Sequence, residues 1–561
     1  MLVMSQFSTP FAPSHTDWSS TFRTILEKRG LNTPEAIAHF LSPRFETGLH
    51  DPFLMHGMKI ACDLLNEVIE NKQHITIFSD YDCDGIPGAV VFHDFLKTIG
   101  HTNFSNYIPH RHYEGFGLSV EAVEKIAQSG TTLIITIDCG TTDTSAVVRA
   151  KELGIKVIVT DHHEPPAELP PAEAIVNPKL GTYPFPDLCG AGVIFKVVQA
   201  LLVDGKYNVM LGQEKWWLDM VGLATIADMV PLVGENRVFA HYGLLVLRKS
   251  RRPGLRLLLK KAKANQTYLT EEDIGFTIGP RINAASRMDA PEHAFSLLTA
   301  SNEEDASEWV EKLEGLNTSR KSAVAQITKE LHVWIKELSD IPAVIVYGNP
   351  SWRPSLVGLA ASKLAEEYNK PVFLWGRDGN QVYKGSCRSG GGVSVVELMR
   401  GTSDIFLEHG GHHFSGGFSL KDESVFGFGE ALNLVHKEIG TELEIKEVVV
   451  PDAEITLEEV FGVLRRELAS LAPFGVGNPR PLFSFANIAP TSVAVFGKGN
   501  EHTKLTFMVR GRELEAIAFF TNTKSFTQTP LSHIPLTLHA HIEESFFMGR
   551  HQLRLRIVDI V

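Results

Sequence analysis

Ile75-Thr76-Ile77-Phe78-Ser79-Asp80-Tyr81-Asp82-Cys83-Asp84-Gly85 joins a short β-branched and apolar run to three carboxylates at alternate positions. Two further segments repeat the arrangement: Leu133-Ile134-Ile135-Thr136-Ile137 runs into Asp138, and Val157-Ile158-Val159 leads to Asp161-His162-His163. Short uninterrupted apolar runs suit strands buried on both faces, as in parallel sheets. Such strands bring their carboxyl ends to one edge, where open α/β sheets bind ligands. Five Asp and two His meeting there would repel one another unless cations held them together, so the pattern predicts a metal site.

Around these runs, from about 51 to 235, strands alternate with amphipathic segments. The reading gives helix 58–71, strand 75–79, helix 87–99, strand 104–108, helix 119–129, strand 132–138, helix 142–153 and strand 156–160, with further helices over 192–203 and 214–227. That alternation implies βαβ units and a mostly parallel sheet. Residues 1–50 read as a helical leader punctuated by Pro10, Pro13, Pro34 and Pro43. A long helix is expected through 301–340, opened by Ser301 with Glu304 as a capping box. It connects to a second α/β unit over 341–440, beginning at Ala343-Val344-Ile345-Val346-Tyr347 and rich in Gly turns. From 447 to 561, one helix (456–470) precedes short alternating strands, which suits a small β-barrel.

A chain of 561 residues is too long for one core, so several domains are expected. No apolar run is long enough to cross a bilayer as a helix, and Met1 to Pro13 lacks the cationic and apolar regions of a secretory signal. Five scattered Cys without a CxxC pair read as a reduced, cytoplasmic protein lacking disulfides or a thiolate zinc site. The formal charge of −13 argues against a wholly basic nucleic-acid-binding surface but leaves room for a local groove.

Each motif has a plain alternative. Asp80-x-Asp82-x-Asp84-Gly85 could be a solvated acidic turn; an EF-hand is disfavoured because an apolar helix follows. Asp138 and Asp161 could cap helices, with His162 and His163 on the surface. None of these alternatives explains why three strand ends carry ligands together. Asp228, within the apolar Ala224-Thr225-Ile226-Ala227-Asp228-Met229, is costly to bury unless paired or metal-bound. Oxygen ligands with one or two imidazoles suit Mn²⁺ or Mg²⁺. Two such ions about 4 Å apart can acidify a bridging water and steady both oxygens of an in-line phosphoryl displacement.

The ordered DxDxDG, DCG, DHH and helical Asp motifs resemble the DHH phosphoesterase superfamily. The finer likeness is to its bacterial branch of single-strand-specific 5′→3′ DNA exonucleases. It rests on Ile108-Pro109-His110-Arg111 with Glu114-Gly115-Phe116-Gly117-Leu118, Gly279-Pro280-Arg281-Ile282-Asn283-Ala284-Ala285, Gly385-Ser386-Cys387-Arg388-Ser389, Gly410-Gly411-His412 and Leu471-Ala472-Pro473-Phe474-Gly475-Val476-Gly477-Asn478-Pro479.

The resemblance implies a DHH catalytic domain over 51–300 with a mostly parallel sheet, the connecting helix, a DHH-associated substrate-binding α/β domain over 341–440 and a C-terminal OB-fold. It implies that Asp82 and Asp138 hold one ion, with Asp80 in or beside that site. Asp84, Asp138, His162 and Asp228 hold the other, Asp138 bridging. Asp161 would orient a ligand and His163 would meet the scissile phosphate. Arg111, Arg281, Ser386, Arg388 and His412 become candidates for DNA phosphate contacts.

The implied activity is hydrolysis of single-stranded DNA to mononucleotides in recombination and repair, by a cytoplasmic monomer with helicase and single-strand-binding proteins as possible partners. Rival readings are a phosphodiesterase on oligoribonucleotides or cyclic dinucleotides, and a non-catalytic scaffold. The terminal unit disfavours the first and the retained ligands disfavour the second. Three departures from the family pattern stand out: Pro87-Gly88 in place of a hydroxyl pair, Ser286 in place of Gly, and Arg353 in place of His. In the OB unit, one or two of Phe474, Phe483, Phe485, Phe507, Phe519, Phe520, Phe546 and Phe547 are expected to stack on bases. Lys498, Lys504, Arg510, Arg550, Arg554 and Arg556 would supply positive charge.

Overall fold

Ile75–Ser79 (β1), Phe104–Tyr107 (β2), Leu133–Ile137 (β3), Lys156–Thr160 (β4) and Ala174–Val176 (β5) form an all-parallel sheet in the order β2-β1-β3-β4-β5. The computed structural model describes residues 18–203, 205–439, 450–497, 499–547 and 550–561. The three runs that open the sequence reading are therefore the three adjacent central strands. Their side chains alternate between two cores. Ile75, Ile77, Leu133, Ile135, Ile137 and Ile158 enter one, and Phe78, Ile134, Val157 and Val159 enter the other. Both sheet faces are covered, which is why these strands read as continuous apolar runs.

The expected helices appear with shifted ends. Gly85–Thr98 starts two residues early because the Asp82 carboxylate accepts the amides of Asp84 and Gly85, at 2.8 and 3.2 Å. The segment 214–227 divides into a 3₁₀ turn, Gln213–Trp217, and the helix Leu218–Ala227. Helices at Gly234–Leu247, Pro253–Lys261, Gly279–Met288 and Glu292–Thr299 fill a stretch where the sequence reading placed none.

Glu303–Glu337 is one unbroken 35-residue helix, the expected connector. Its cap is Asn302, which accepts the Asp305 amide at 2.9 Å, rather than Ser301. The second α/β unit comprises Ile345–Gly348 (β6), Val372–Arg377 (β7), Tyr383–Arg388 (β8), Phe406–His412 (β9) and Ser415–Leu420 (β10), ordered β6-β7-β8-β10-β9. Only β6 and β7 pair in parallel.

The third unit is a seven-stranded sheet: Ala453–Glu454 (β11), Leu482–Ile488 (β12), Ser492–Phe496 (β13), His502–Val509 (β14), Arg512–Ala518 (β15), Leu536–Phe547 (β16) and Arg550–Ile560 (β17). Its order is β11-β12-β16-β17-β15-β14-β13. The expected helix over 456–470 is shorter, Leu464–Leu471, because Gly462 separates it from a 3₁₀ turn at Glu459–Phe461. The expected start of this unit at 447, the side chain of Lys498, and those of Phe546, Phe547 and Arg550 lie outside the described residues, as do Met1 to Asp17 with Pro10 and Pro13.

The leader does not act as one piece. Trp18, Phe22, Ile25 and Leu26 are buried in the core of the C-terminal unit. Ser19 donates its amide and hydroxyl to Glu467, at 2.7 and 2.6 Å. Phe45 and Leu49, by contrast, pack into the core of the first unit. The C-terminal unit also touches the first: Arg237 donates to the carbonyls of Ser470 and Ala472, and Leu232 donates its amide to Val476.

Beneath the first sheet lies an ion pair with no solvent exposure on either side chain, Lys196 with Glu235 at 2.9 Å. Glu235 also accepts the Tyr183 hydroxyl at 2.7 Å and the His50 amide at 2.9 Å. Removing one partner strands a buried charge, so Glu235→Ala is expected to cost about 3–5 kcal/mol. The double substitution Lys196→Met with Glu235→Leu is expected to recover most of that loss. Thermal denaturation of the three proteins measures it, and a single variant as stable as the parent would contradict the stated role.

Candidate metal centre

The sheet order reverses direction between β1 and β3, and open α/β sheets place their ligand crevice at such a point. The hydrogen-bond ladder continues one residue past each strand. Asp80 N donates to Ile137 O (3.1 Å), Asp138 N to Thr160 O (2.9 Å) and Asp161 N to Val176 O (3.1 Å). Three carboxylates are thereby lined up along one edge by backbone register. Asp138 sits at φ +63°, in the left-handed region that Asp and Asn tolerate best among non-glycine residues. Gly190 leaves it room: a Cβ there would lie 2.5 Å from the Asp138 Cβ.

Three sets of donors converge: Asp80, Asp82 and Asp138; Asp84, His162 and Asp228; and Asp138, His162 and His163. Within each set the ligand atoms lie within 4.8 Å of one another. Ligands on opposite sides of a magnesium-sized ion stand about 4.2 Å apart, so the spacing fits a divalent cation. Asp80 Oδ1 and Asp138 Oδ1 are buried without a hydrogen-bond partner. His162 Nε2 stands 3.1 Å from Asp138 Oδ1 yet makes no hydrogen bond to it, as expected of two donors aimed at a shared ion.

The electrostatics agree. Burial, then the charge of Asp82, raises the Asp84 carboxyl to about 7, against amide donation from Ala191 and Gly190 at 2.7 and 2.6 Å. Burial, followed by the charges of Asp84, Asp82 and Asp80, raises Asp228 to about 9. Asp80 and Asp138 are pushed well above the carboxylate range by burial and then by neighbouring carboxylates. Burial, with the nearby His163, lowers His162 to about 4, leaving the neutral imidazole that a metal requires.

Asp161 behaves differently. Its Oδ1 accepts the amides of His162 and His163 and the His163 ring Nδ1 (2.7 Å), and its Oδ2 accepts the Thr141 amide at 3.0 Å. Burial opposes its ionisation, but the His163 hydrogen bond and charge outweigh it and hold the carboxyl below its usual range. Reciprocally, the Asp161 hydrogen bond raises His163 against the effect of burial. Phe116 packs edge-on against the His163 ring at 5.5 Å.

Among the expected phosphate contacts, Arg111 lies beside the acidic edge, with its guanidinium 4.7 Å from the Tyr81 ring centre. Arg281 is taken up by Glu314 and by the Thr277 carbonyl at 2.7 Å. Ser386 and Arg388 face the helix Pro354–Tyr368 together, where a Cβ on Gly358 would meet both at 3.2 Å. Arg388 donates to Ser362 at 3.0 Å. His412 is exposed on β9, joined to Arg388 through the shared ladder partner Ser415.

Two further residues brace the site. Asn283 accepts the Cys83 amide at 2.9 Å, pinning the DxDxDG loop to the helix Gly279–Met288. Arg287 donates to the Ser355 carbonyl at 2.6 Å; its burial, with Arg111 nearby, lowers it to about 9. Asn283 lies within the 279–285 motif and Arg287 two residues beyond it.

The departures find local reasons. Pro87 lies in the first turn of Gly85–Thr98, where no amide is needed, and a Cβ on Gly88 would lie 2.7 Å from Ile137 Cγ2. Ser286 is fully buried, and Arg353 donates across the seam between the units to Met288 O at 2.5 Å.

In the C-terminal unit, Phe483, Phe485 and Phe507 are core, and Arg480 covers half-buried Phe474 at 4.5 Å. Phe519 carries Arg554 and Arg556 at 5.4 and 5.5 Å, and Phe520 is 79% exposed. The expected positive charge is largely engaged: Lys504 pairs with Glu515, and Arg554 and Arg556 both pair with Glu543. All five Cys are buried and none forms a disulfide, in keeping with packing roles. Among the described residues no helix is long and apolar enough to cross a membrane.

Residues 74–225, which carry this sheet edge, match the DHH family, N-terminal domain. Residues 340–441 match the DHHA1 domain and 451–559 the RecJ OB domain. The chain belongs to the RecJ family. It is 35% identical over 540 residues to the single-stranded-DNA-specific exonuclease RecJ of Bacillus subtilis, covering 96% of this chain and 67% of that one. The protein of the same name from Haemophilus influenzae is 32% identical over 533 residues, covering 91% of each. The crystal structure of RecJ from Thermus thermophilus in complex with Mn²⁺ superposes with a TM-score of 0.80 at 26% identity, over 96% of this chain and 76% of that one.

Proposed function

We propose that this chain is a divalent-metal-dependent exonuclease that degrades single-stranded DNA from the 5′ end to mononucleotides, serving recombination and repair. The observation that carries the reading is the pair of donor sets, Asp80/Asp82/Asp138 and Asp84/His162/Asp228, joined by Asp138, whose ligand atom lies 3.1 Å from that of His162. Asp82 and Asp138, with Asp80, would hold one Mn²⁺ or Mg²⁺, and Asp84, Asp138, His162 and Asp228 the other. When bound, the two ions neutralise phosphate charge and acidify the attacking water.

The protein's own groups do the rest. Asp161 holds the His163 ring by Nδ1, leaving Nε2 to donate to a non-bridging phosphate oxygen. The raised His163 pKa favours the charged donor. Arg111 beside the acidic edge, and Ser386, Arg388 and His412 of the second α/β unit, take the flanking phosphates, with Arg presenting its planar fork. Arg281 would join them once freed from Glu314. The family likeness and OB unit support single-stranded DNA as substrate, in a cytoplasmic monomer that works with helicase and single-strand-binding partners.

The test is an assay of 5′-phosphorylated single-stranded DNA, duplex DNA and short RNA, each with Mn²⁺, Mg²⁺ or chelator. Metal-dependent release of mononucleotides from single-stranded DNA is expected, with chelator abolishing it. Preferential hydrolysis of short RNA, or no metal-dependent cleavage at all, would sink the reading.

A further inference from the structure

Ile274–Ile278 is a turn of π-helix between the short helix Glu271–Asp273 and the helix Gly279–Met288. Single π-turns inside helices concentrate at functional sites. The turn buries Ile274 and Ile278 completely and leaves the ring of Phe276, on the opposite side, 79% exposed. An exposed Phe leaves apolar area in water that a core position would cover.

Its surroundings give the ring a purpose. On the upstream side, Glu271 pairs with Arg480 of the C-terminal unit at 3.0 Å. On the downstream side, Gly279 stands against the catalytic floor: a Cβ there would lie 3.7 Å from Ala227 Cβ and 3.8 Å from Cys83 Sγ. Those two residues adjoin Asp228 and the Asp82–Asp84 pair. The turn also packs on the helix Leu218–Ala227, which ends at Asp228. The segment therefore spans from the OB unit to the metal-ligand edge, with Phe276 between them. Arg281 fixes it by donating to the Thr277 carbonyl. Beside the ring, exposed Gly275 opens onto free space, with nothing within 4 Å of its Cβ position.

We infer that Phe276 is a base-stacking platform that positions the single strand between the OB unit and the metal-ligand cluster. The inference rests on the exonuclease reading above. Stacking suits this place because every base offers a π-face, so the contact holds the strand without selecting sequence. A lone ring flanked by Gly275 and Thr277 offers little area to a protein partner but a full face to a nucleobase.

The experiment compares Phe276→Ala, Phe276→Leu, Phe276→Tyr and Phe276→Trp on long 5′-phosphorylated single-stranded DNA, with thermal denaturation as a folding control. Phe276→Ala is expected to raise KM roughly 5- to 150-fold, the range that stacking one base on an aromatic ring supports. Its kcat should stay near that of the parent. Tyr and Trp should keep the parental KM, and Leu should behave like Ala. A second readout needs no turnover: in chelator, 2-aminopurine placed along the strand should be quenched by the parent protein and not by Phe276→Ala.

An unchanged KM in Phe276→Ala, or full function in Phe276→Leu, overturns the stacking role while leaving the exonuclease reading intact. A parent protein that quenches through Phe276 but cleaves no single-stranded DNA with metal overturns the exonuclease reading and keeps the platform.

Discussion

Replacing Asp138 with Asn is expected to lower kcat by more than about 10³-fold, because its carboxylate completes the Asp80/Asp82 donor set and also lies 3.1 Å from His162 Nε2 of the other. Asn is the informative substitution. It preserves shape beside Gly190, and it accepts the left-handed φ of +63° that would strain Ala. Binding of single-stranded DNA in chelator should change by no more than about threefold, since phosphate affinity comes from cationic groups elsewhere. Stability should move the other way. The Asp138 carboxyl is held well above its usual pKa by burial and by Asp84, Asp82 and Asp80. Removing that acid relieves the metal-free protein, so its melting temperature should rise while the gain on adding Mn²⁺ shrinks. Retention of more than about a tenth of parental turnover would count against the proposed bridging by Asp138.

Stripping the metals should make stability depend on pH in a direction opposite to that of most acidic residues. Asp84 and Asp228 are raised from 3.8 to about 7 and about 9, first by burial and then by neighbouring carboxylates. A carboxyl whose folded pKa is raised contributes its full stability below the unfolded pKa. It loses that contribution as pH climbs through the folded one. The metal-free protein should thus lose this contribution between pH 3.8 and about 9, each retained proton being worth up to about 1.4 kcal/mol per pH unit. Bound cations replace those protons and cancel the loss. The rise in melting temperature on adding Mg²⁺ should therefore be larger at about pH 9 than at about pH 6. A gain that is flat or falls with pH would show that the cluster does not hold the ions.

Much of the site was readable because its signal is local. A run such as Leu133 to Ile137 names its own strand, and the next residue is its ligand. The parallel register then needs only adjacency to bring Asp80, Asp138 and Asp161 into line. Asp228 was readable for a different reason, as a carboxylate out of place in an apolar helix.

What escaped depends on contacts distant in sequence. Asn283 reaches Cys83 across 200 positions, and Arg281 meets Glu314 on the connecting helix, so its guanidinium is already partnered. The helices between 234 and 299 carried start signals, Pro253-Gly254, Gly279-Pro280 and Pro291 among them, but no strand alternated with them to mark a repeating unit. Strand register turns Phe483 and Phe507 inward, whereas Phe519 and Phe520 stand exposed in the turn just past Ala518. Alternation alone could not assign the inward face.

The docking of Ser19 on Glu467 sets a clock for biosynthesis. The partners are 448 positions apart, and chains grow at about 5–20 residues per second. The helix Ser20–Lys28 must wait about 20 to 90 seconds after leaving the ribosome before its seat exists. For that interval Trp18, Phe22, Ile25 and Leu26 are a greasy handle open to chaperones. Their burial waits on a partner core made of residues 455–560, so this core closes late in synthesis.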